Sequence, residues 1–236
     1  MNKNKNISLH KTPTRDNFFE AVHSKIASIL TPTFMIFTPN QITLISGILG
    51  LLGSFCLFYN NNYFYLLAGA ILIQLYAILD LVDGNIARQK KMQSNFGMWL
   101  DFFFDKLIDF ILILIVSLGV YFHTQEYYVL ISGIILMGLN FFIQQIMLMN
   151  DTYFKSVRNS NLKSFTNPKK EVNVNSLIFI PIIFYRKHLS LQHNTFLFLI
   201  SFFALIDKLE FGIYFLTFHA FISIILSILA NFIRIR

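Results

Sequence analysis

The chain has 236 residues, of which 55% are hydrophobic and only 13% charged, with a mean hydropathy of +0.59 and a formal net charge of +7. That balance excludes an ordinary water-soluble domain and points to a polytopic membrane protein. The positive charges sit in loops between apolar runs, not on one amphipathic face, which argues against nucleic acid as the partner.

Residues 1–25 are polar and basic and show no signal-peptide pattern. The run Ile26–Phe37 is apolar but short, and Pro32 breaks it. It reads as an amphipathic interfacial helix, not a span. A span needs roughly 17–25 apolar residues. Six segments are candidates, near 42–59, 63–82, 98–121, 127–149, 195–207 and 211–232. Asn60-Asn61-Asn62 supplies the turn between the first two. Cys56 is the only cysteine, lies inside the first run and reads as a packing residue. The fifth segment is short. Residues 189–194 would lengthen it, although Gln192, His193 and Asn194 make a poor lipid-facing start. The stretch 150–190 is polar and basic, then apolar at Leu177–Tyr185 with Pro181 inside, as in an interfacial or re-entrant segment. The expected fold is an all-α integral membrane protein with six transmembrane helices and an N-terminal amphipathic helix. It divides into an N-terminal part (1–37) and a six-helix membrane domain (38–236).

Charge orients this arrangement. With the N-terminus in the cytoplasm, Lys3, Lys5, Lys11, Arg15 and Lys25 share a side with Arg88, Lys90 and Lys91. Lys155, Arg158, Lys163, Lys169, Lys170, Arg186, Lys187, Arg234 and Arg236 join them. Of the 19 basic residues only Lys106, within the third span, and Lys208, in an outer loop, fall elsewhere. The positive-inside bias therefore puts both termini on the cytoplasmic side of the cytoplasmic membrane.

The most informative stretch runs from Asp80 to Asp105. It reads D-x2-D-G-x2-A-R-x8-G-x3-D-x3-D, through Asp80, Asp83, Gly84, Ala87, Arg88, Gly97, Asp101 and Asp105. Acidic groups beside lipid-exposed segments are costly and mark function. Spacings of three and four place each pair of aspartates on one helix face. Two adjacent antiparallel helices can then offer four carboxylates to one small volume. Such a cluster must bind cations or hold protons. Hard divalent ions such as Mg²⁺ suit carboxylate oxygens and usually arrive with a phosphate, and two ions can clamp both oxygens of a phosphoryl displacement. Gly84 and Ala87 let a bulky ligand approach the backbone, and Gly97 clears the same face one turn before Asp101. Arg88 can fork onto a phosphate. Ser94 is a candidate polar contact.

At every fixed position this run resembles the signature of the CDP-alcohol phosphotransferase (CDP-alcohol phosphatidyltransferase) family. The segment Phe37-Thr38-Pro39-Asn40-Gln41-Ile42-Thr43 is similar to the one that opens that family's first membrane helix. The resemblance is specific over about residues 37–110 and architectural beyond. It implies an enzyme that moves a substituted phosphate from a CDP-alcohol to an acceptor hydroxyl and releases CMP, in phospholipid or polar-headgroup synthesis. It implies two Mg²⁺ ions, with Mn²⁺ as an alternative, held by Asp80, Asp83 and Asp101, with Asp105 touching the second ion. Asp105 would also be the general base for the acceptor. Gly84, Arg88 and Ser94 would line the CDP pocket with Asn40 and Thr43, while Ala87 and Gly97 give clearance. A homodimer in the bilayer is the family's expectation.

Other residues have blander readings. A lone intramembrane Asp can simply pair with a base; for Asp109 the pairing with Lys106 or another basic group outweighs a role in the acceptor pocket, and Lys106 is expected to balance Asp105. Gly47, Gly50 and Gly53 suit a dimer face or close packing within the subunit equally. His219 reads as a core residue, and His188 and His193 lack metal-ligand spacing. The basic region 155–170 reads as a membrane-facing positive loop; the sharper alternative is that Lys155 or Arg158 binds an anionic acceptor such as a polyol phosphate. Two other functions stay in view: an intramembrane Mg²⁺-dependent prenyltransferase, and a divalent cation transporter.

Overall fold

The computed structural model describes residues 18–161 and 191–235, and the described residues are helical with short connections. In chain order the helices are α1 (Phe18–Leu30), α2 (Pro39–Phe58), α3 (Tyr63–Lys90), α4 (Asn95–Thr124), α5 (Tyr127–Asn161), α6 (His193–Leu205) and α7 (Leu209–Ile235), with a 3₁₀ turn at Thr33–Ile36. No strand occurs among the described residues. The apolar segment Leu177–Tyr185 and His188 lie outside them, as do the basic residues Lys3, Lys5, Lys11, Arg15, Lys163, Lys169, Lys170, Arg186, Lys187 and Arg236.

Each of the six expected spans coincides with a helix. Four of these, α2, α3, α5 and α7, are long and apolar enough to cross a membrane. The other two depart from that pattern for different reasons. Helix α4 is 30 residues long but carries Asp101, Asp105, Lys106 and Asp109. Helix α6 has only 13 residues, a rise of roughly 20 Å at 1.5 Å per residue. The outer surface of the bundle is apolar, with Ile48, Leu52, Ile71, Phe110, Ile134 and Phe218 among its exposed side chains. A surface of that kind suits lipid, not water.

Three boundaries differ from the sequence reading. The second span does not end at residue 82; α3 continues to Lys90 and carries the first half of the aspartate motif in its interior. Asp83, Gly84 and Asn85 are turn-forming types, but no proline interrupts Asp83–Lys90 and the i→i−4 ladder runs on through them. Lys91 closes the helix in the left-handed conformation (φ 56°). The fourth span runs past 149 into Asn161, so Lys155 and Arg158 lie on a helix and not in a loop. At the N-terminus the helix is not within Ile26–Phe37 but begins at Phe18 and ends at Leu30. Pro32 then separates it from the 3₁₀ turn, as a ring without an N–H requires.

The start of α2 follows from its sequence. Pro39 sits at its first position and the Gln41 side chain accepts from the Thr38 N–H at 2.9 Å. Helix α2 packs on α3 and α4, α4 on α5, α5 on α7, and α3 on α6, while α1 lies against α3 and α6. Gly47, Gly50 and Gly53 face into the subunit: a Cβ at Gly47 would press on Phe104, at Gly50 on Ile108, and at Gly53 on Ile73. The close-packing reading of this triplet therefore holds, and the dimer-face reading does not. His219 is only partly buried and stacks on Phe215 at 5.9 Å, nearly parallel.

Helix α1 is pinned by a buried histidine. His23 Nε2 lies 2.8 Å from Gln74 Oε1 on α3, and Nδ1 lies 3.4 Å from Asn194 Oδ1 on α6. Gln74 in turn donates to the Leu197 carbonyl and the Ser201 hydroxyl. The outward side of α1 shows Phe18, Val22 and Ile29.

Gly119 marks the closest approach of a glycine to another helix's backbone among the described residues. A Cβ there would run into the backbone of Phe58 at the end of α2. Backbone cannot swing aside as a side chain can, so Gly119→Ala is expected to destabilise the bundle by about 1–3 kcal/mol. A fall in the thermal unfolding midpoint of the detergent-solubilised chain checks this.

Candidate active site

Helices α3 and α4 are joined by only four residues, 91–94, and run back antiparallel. The Met92 N–H donates to the Ala87 carbonyl at 2.9 Å, which ends α3 sharply. The Ser94 hydroxyl accepts from the Gly97 N–H at 3.0 Å and caps α4. This hairpin sets the aspartates of the two helices against each other. Asp80, Asp101 and Asp105 each offer a carboxylate oxygen, and these oxygens lie within 4.8 Å of one another. Three partly buried carboxylates so close repel strongly unless a cation or a proton intervenes. Their donor set is all oxygen and hard, which fits a divalent cation of the Mg²⁺ or Mn²⁺ kind.

Asp83 stands outside that group of three. It is buried, and its Oδ2 accepts from the Thr43 hydroxyl on α2. Thr43 therefore reaches the aspartates by holding one of them. Asn40, one turn earlier on α2, faces the start of α4: a Cβ on Gly97 would come 3.1 Å from Asn40 Oδ1 and 3.1 Å from Ser94 Oγ. These three polar or small residues thus share one corner. Gly84 opens toward Arg88, whose guanidinium nitrogens would lie 3.4 and 3.5 Å from a Cβ there. Arg88 is exposed and donates from Nη2 to Asn85 Oδ1 at 2.8 Å. Ala87 lies on the same stretch and is partly exposed. The expected site residues are therefore brought to one end of the α2–α3–α4 bundle, with Asp83 turned aside toward Thr43.

Deeper in the bundle is a network that sequence reasoning did not find. Tyr76 is fully buried and donates to Asp105 Oδ1 at 3.1 Å. His193, the first residue of α6, places Nε2 at 3.3 Å from that same oxygen and at 3.2 Å from the Tyr76 hydroxyl. Its Nδ1 lies 2.8 Å from Asp109 Oδ1. Gln144 and Asn140 on α5 donate to Asp109 Oδ2 at 2.8 and 3.4 Å. The basic partner of Asp109 is thus His193, not Lys106, whose ammonium lies 5.1 Å over the Phe102 ring. One signal was available: Gln192-His193-Asn194 is a polar interruption at the head of an apolar run, and such groups are buried only with partners.

A family model described as CDP-alcohol phosphatidyltransferase matches residues 36–230, most of the chain. The chain belongs to the CDP-alcohol phosphatidyltransferase family. The bifunctional IPC transferase and DIPP synthase of Aquifex aeolicus is 33% identical over 90 residues, 38% of this chain and 20% of that protein. The archaetidylinositol phosphate synthase of Pyrococcus horikoshii is 38% identical over 82 residues, 35% of this chain and 42% of its own length. The phosphatidylinositol phosphate synthase of Streptomyces avermitilis is 37% identical over 92 residues, 39% of this chain and 36% of its own. The matched regions thus span under half of these relatives. A solved structure of the phosphatidylinositol phosphate synthase of Mycobacterium tuberculosis with CDP-DAG bound superposes with a TM-score of 0.57 at 16% identity, covering 88% of this chain and 92% of that one. The same enzyme in complex with manganese and citrate gives 0.52 at 18% identity, with 87% of each chain covered. At such identities the likeness shows a shared fold within the family.

Proposed function

We propose that this CDP-alcohol phosphatidyltransferase moves the phosphatidyl or phospho-alcohol group of a CDP-alcohol to an acceptor hydroxyl and releases CMP. The observation that carries the reading is the set of three carboxylate oxygens, on two helices joined by a short turn, within 4.8 Å of one another. They stand beside Gly84 and Arg88 in a chain of this family. The prenyltransferase and transporter readings leave the Gly-Ala-Arg-Gly framework between the aspartates without a use.

In this reading Asp80, Asp101 and Asp105 would hold divalent cations, with Asp83, held by the Thr43 hydroxyl, completing the set for two Mg²⁺ ions. Bound there, the cations would neutralise the carboxylates and polarise the diphosphate of the donor. Gly84 and Ala87 leave clearance for the CDP moiety, and Gly97 opens the corner shared with Asn40 and Ser94. Arg88 meets a phosphate with its guanidinium fork. Asp105 takes the proton of the acceptor hydroxyl. The acceptor oxygen bonds to the β-phosphorus, the bond from that phosphorus to the bridging oxygen breaks, and CMP leaves with that oxygen.

The same reading places residues 38–236 in the cytoplasmic membrane as one six-span domain, with the site and both termini facing the cytoplasm. It also takes the protein as a homodimer. A polyol phosphate is the first acceptor to try, because three of the similar proteins are named for inositol phosphate products. The purified chain in detergent with Mg²⁺ is expected to release CMP from CDP-diacylglycerol with one member of a panel of glycerol 3-phosphate, serine, inositol and inositol phosphate. Release from a soluble CDP-alcohol alone would keep the chemistry and change the donor. No CMP from any donor would refute the transferase.

A further inference from the structure

The reaction above assigns no task to His193, yet no histidine among the described residues is more closely surrounded by acids. We propose that His193 is a positioning residue for Asp105, itself anchored by Asp109, a claim that rests on Asp105 being the acceptor's base. Three observations carry it.

The first is where α6 begins. The helix starts at His193, whose side chain is only 15% exposed and packs edge-on against Tyr76. Its polar opening is costly to bury unless each group is matched. Asn194 is matched by His23, and His193 by the aspartates.

The second is that both ring nitrogens are engaged. Nδ1 meets Asp109 Oδ1 at 2.8 Å, while Nε2 hydrogen-bonds the Tyr76 hydroxyl at 3.2 Å and lies 3.3 Å from Asp105 Oδ1, the oxygen to which Tyr76 donates. The structural His23 also engages both nitrogens, but with neutral amides, whereas His193 stands between two carboxylates. The third is the support behind Asp109. Gln144 and Asn140 hold its other oxygen from α5. A line of contacts therefore runs from α5 through Asp109 and His193 to Asp105. Tyr76 and His193 both act on Oδ1 of Asp105, from α3 and α6 respectively. Outer groups of this kind fix the direction of the carboxylate they touch, and their loss commonly lowers activity about 10–100-fold.

The two amide side chains separate the two contacts. Asparagine reaches as far as Nδ1 and keeps the contact with Asp109. Glutamine reaches as far as Nε2 and restores an amide beside Asp105. In the full chain, His193→Asn is expected to keep the unfolding midpoint and the KM for the CDP-alcohol, while kcat falls about 10–100-fold. His193→Gln is expected to recover most of that loss. A Mn²⁺ titration followed by electron paramagnetic resonance gives a second readout, in which His193→Asn binds several-fold more weakly than wild type and His193→Gln does not. Wild-type kcat and Mn²⁺ affinity in His193→Asn overturn the proposal. Equal losses in both variants with a lowered midpoint also overturn it, since that marks a purely structural histidine. If His193→Asn fails to fold, His193→Gln decides alone: near-wild-type kcat supports the role, and a full loss removes it. If wild type releases no CMP from any donor, the transferase reading fails, and the Mn²⁺ comparison still decides what His193 does.

Discussion

Asp105→Asn is expected to abolish CMP release while binding of the CDP-alcohol largely survives. The substitution keeps the shape of the side chain and leaves an oxygen for the Tyr76 hydroxyl, which donates to Oδ1 in the native chain. What it removes is the capacity to accept a proton and one full negative charge. A positioned general base contributes about 10²–10⁴-fold to a rate, so turnover should fall by at least that order. In the proposed reading donor binding relies on Gly84, Arg88 and the corner of Asn40 and Ser94, whereas Asp105 is held by Tyr76 and His193. Single-turnover CMP release and a direct binding isotherm for the donor, measured on the same preparation, separate the two effects. Turnover at the wild-type rate would remove Asp105 from the role of base.

Asp101→Asn should show the opposite balance between stability and activity. Asp101 shares its small volume with Asp80 and Asp105, all three oxygens lying within 4.8 Å. Without cations these charges repel, and removing one relieves the strain. The metal-free variant is therefore expected to unfold at a higher temperature than metal-free wild type, by about 2–4 °C for each kcal/mol relieved. Its Mn²⁺ affinity should fall at least about tenfold, and Mg²⁺-dependent CMP release should be lost. Chelation of wild type should abolish activity in the same way, with recovery when Mg²⁺ is restored. A variant that is less stable without metal would show that Asp101 serves the fold, not an ion.

The aspartates were legible in the sequence because they combine two periodicities. Asp80 and Asp83 recur at helical spacing on one segment, and Asp101 and Asp105 do so on the next. The glycine, alanine and arginine positions between them have no structural necessity and so pointed to a ligand. The helices were legible from length and hydropathy, but their ends were not. Asp83–Lys90 and Asp151–Asn161 are polar enough to resemble loops, yet each continues a helix begun in an apolar run. The histidine network was hidden for a different reason. His193 is 84 residues from Asp109 and 117 from Tyr76, and one-dimensional spacing carries no information about such a meeting. The polar triplet at the head of α6 was visible, but what it touched was not.

The helical register on either side of the four-residue turn between α3 and α4 makes a change of length in the motif costly. Each added residue in a helix advances its face by about 100° and its height by about 1.5 Å. One extra residue between Gly97 and Asp101 would leave Ser94 and Gly97 in register with Asn40, and swing both carboxylates away from Asp80. The hairpin therefore acts as a fixed gear between the two helices. A substitution at an x position leaves the carboxylates facing one another, while a change in the counts between the fixed positions would turn them apart.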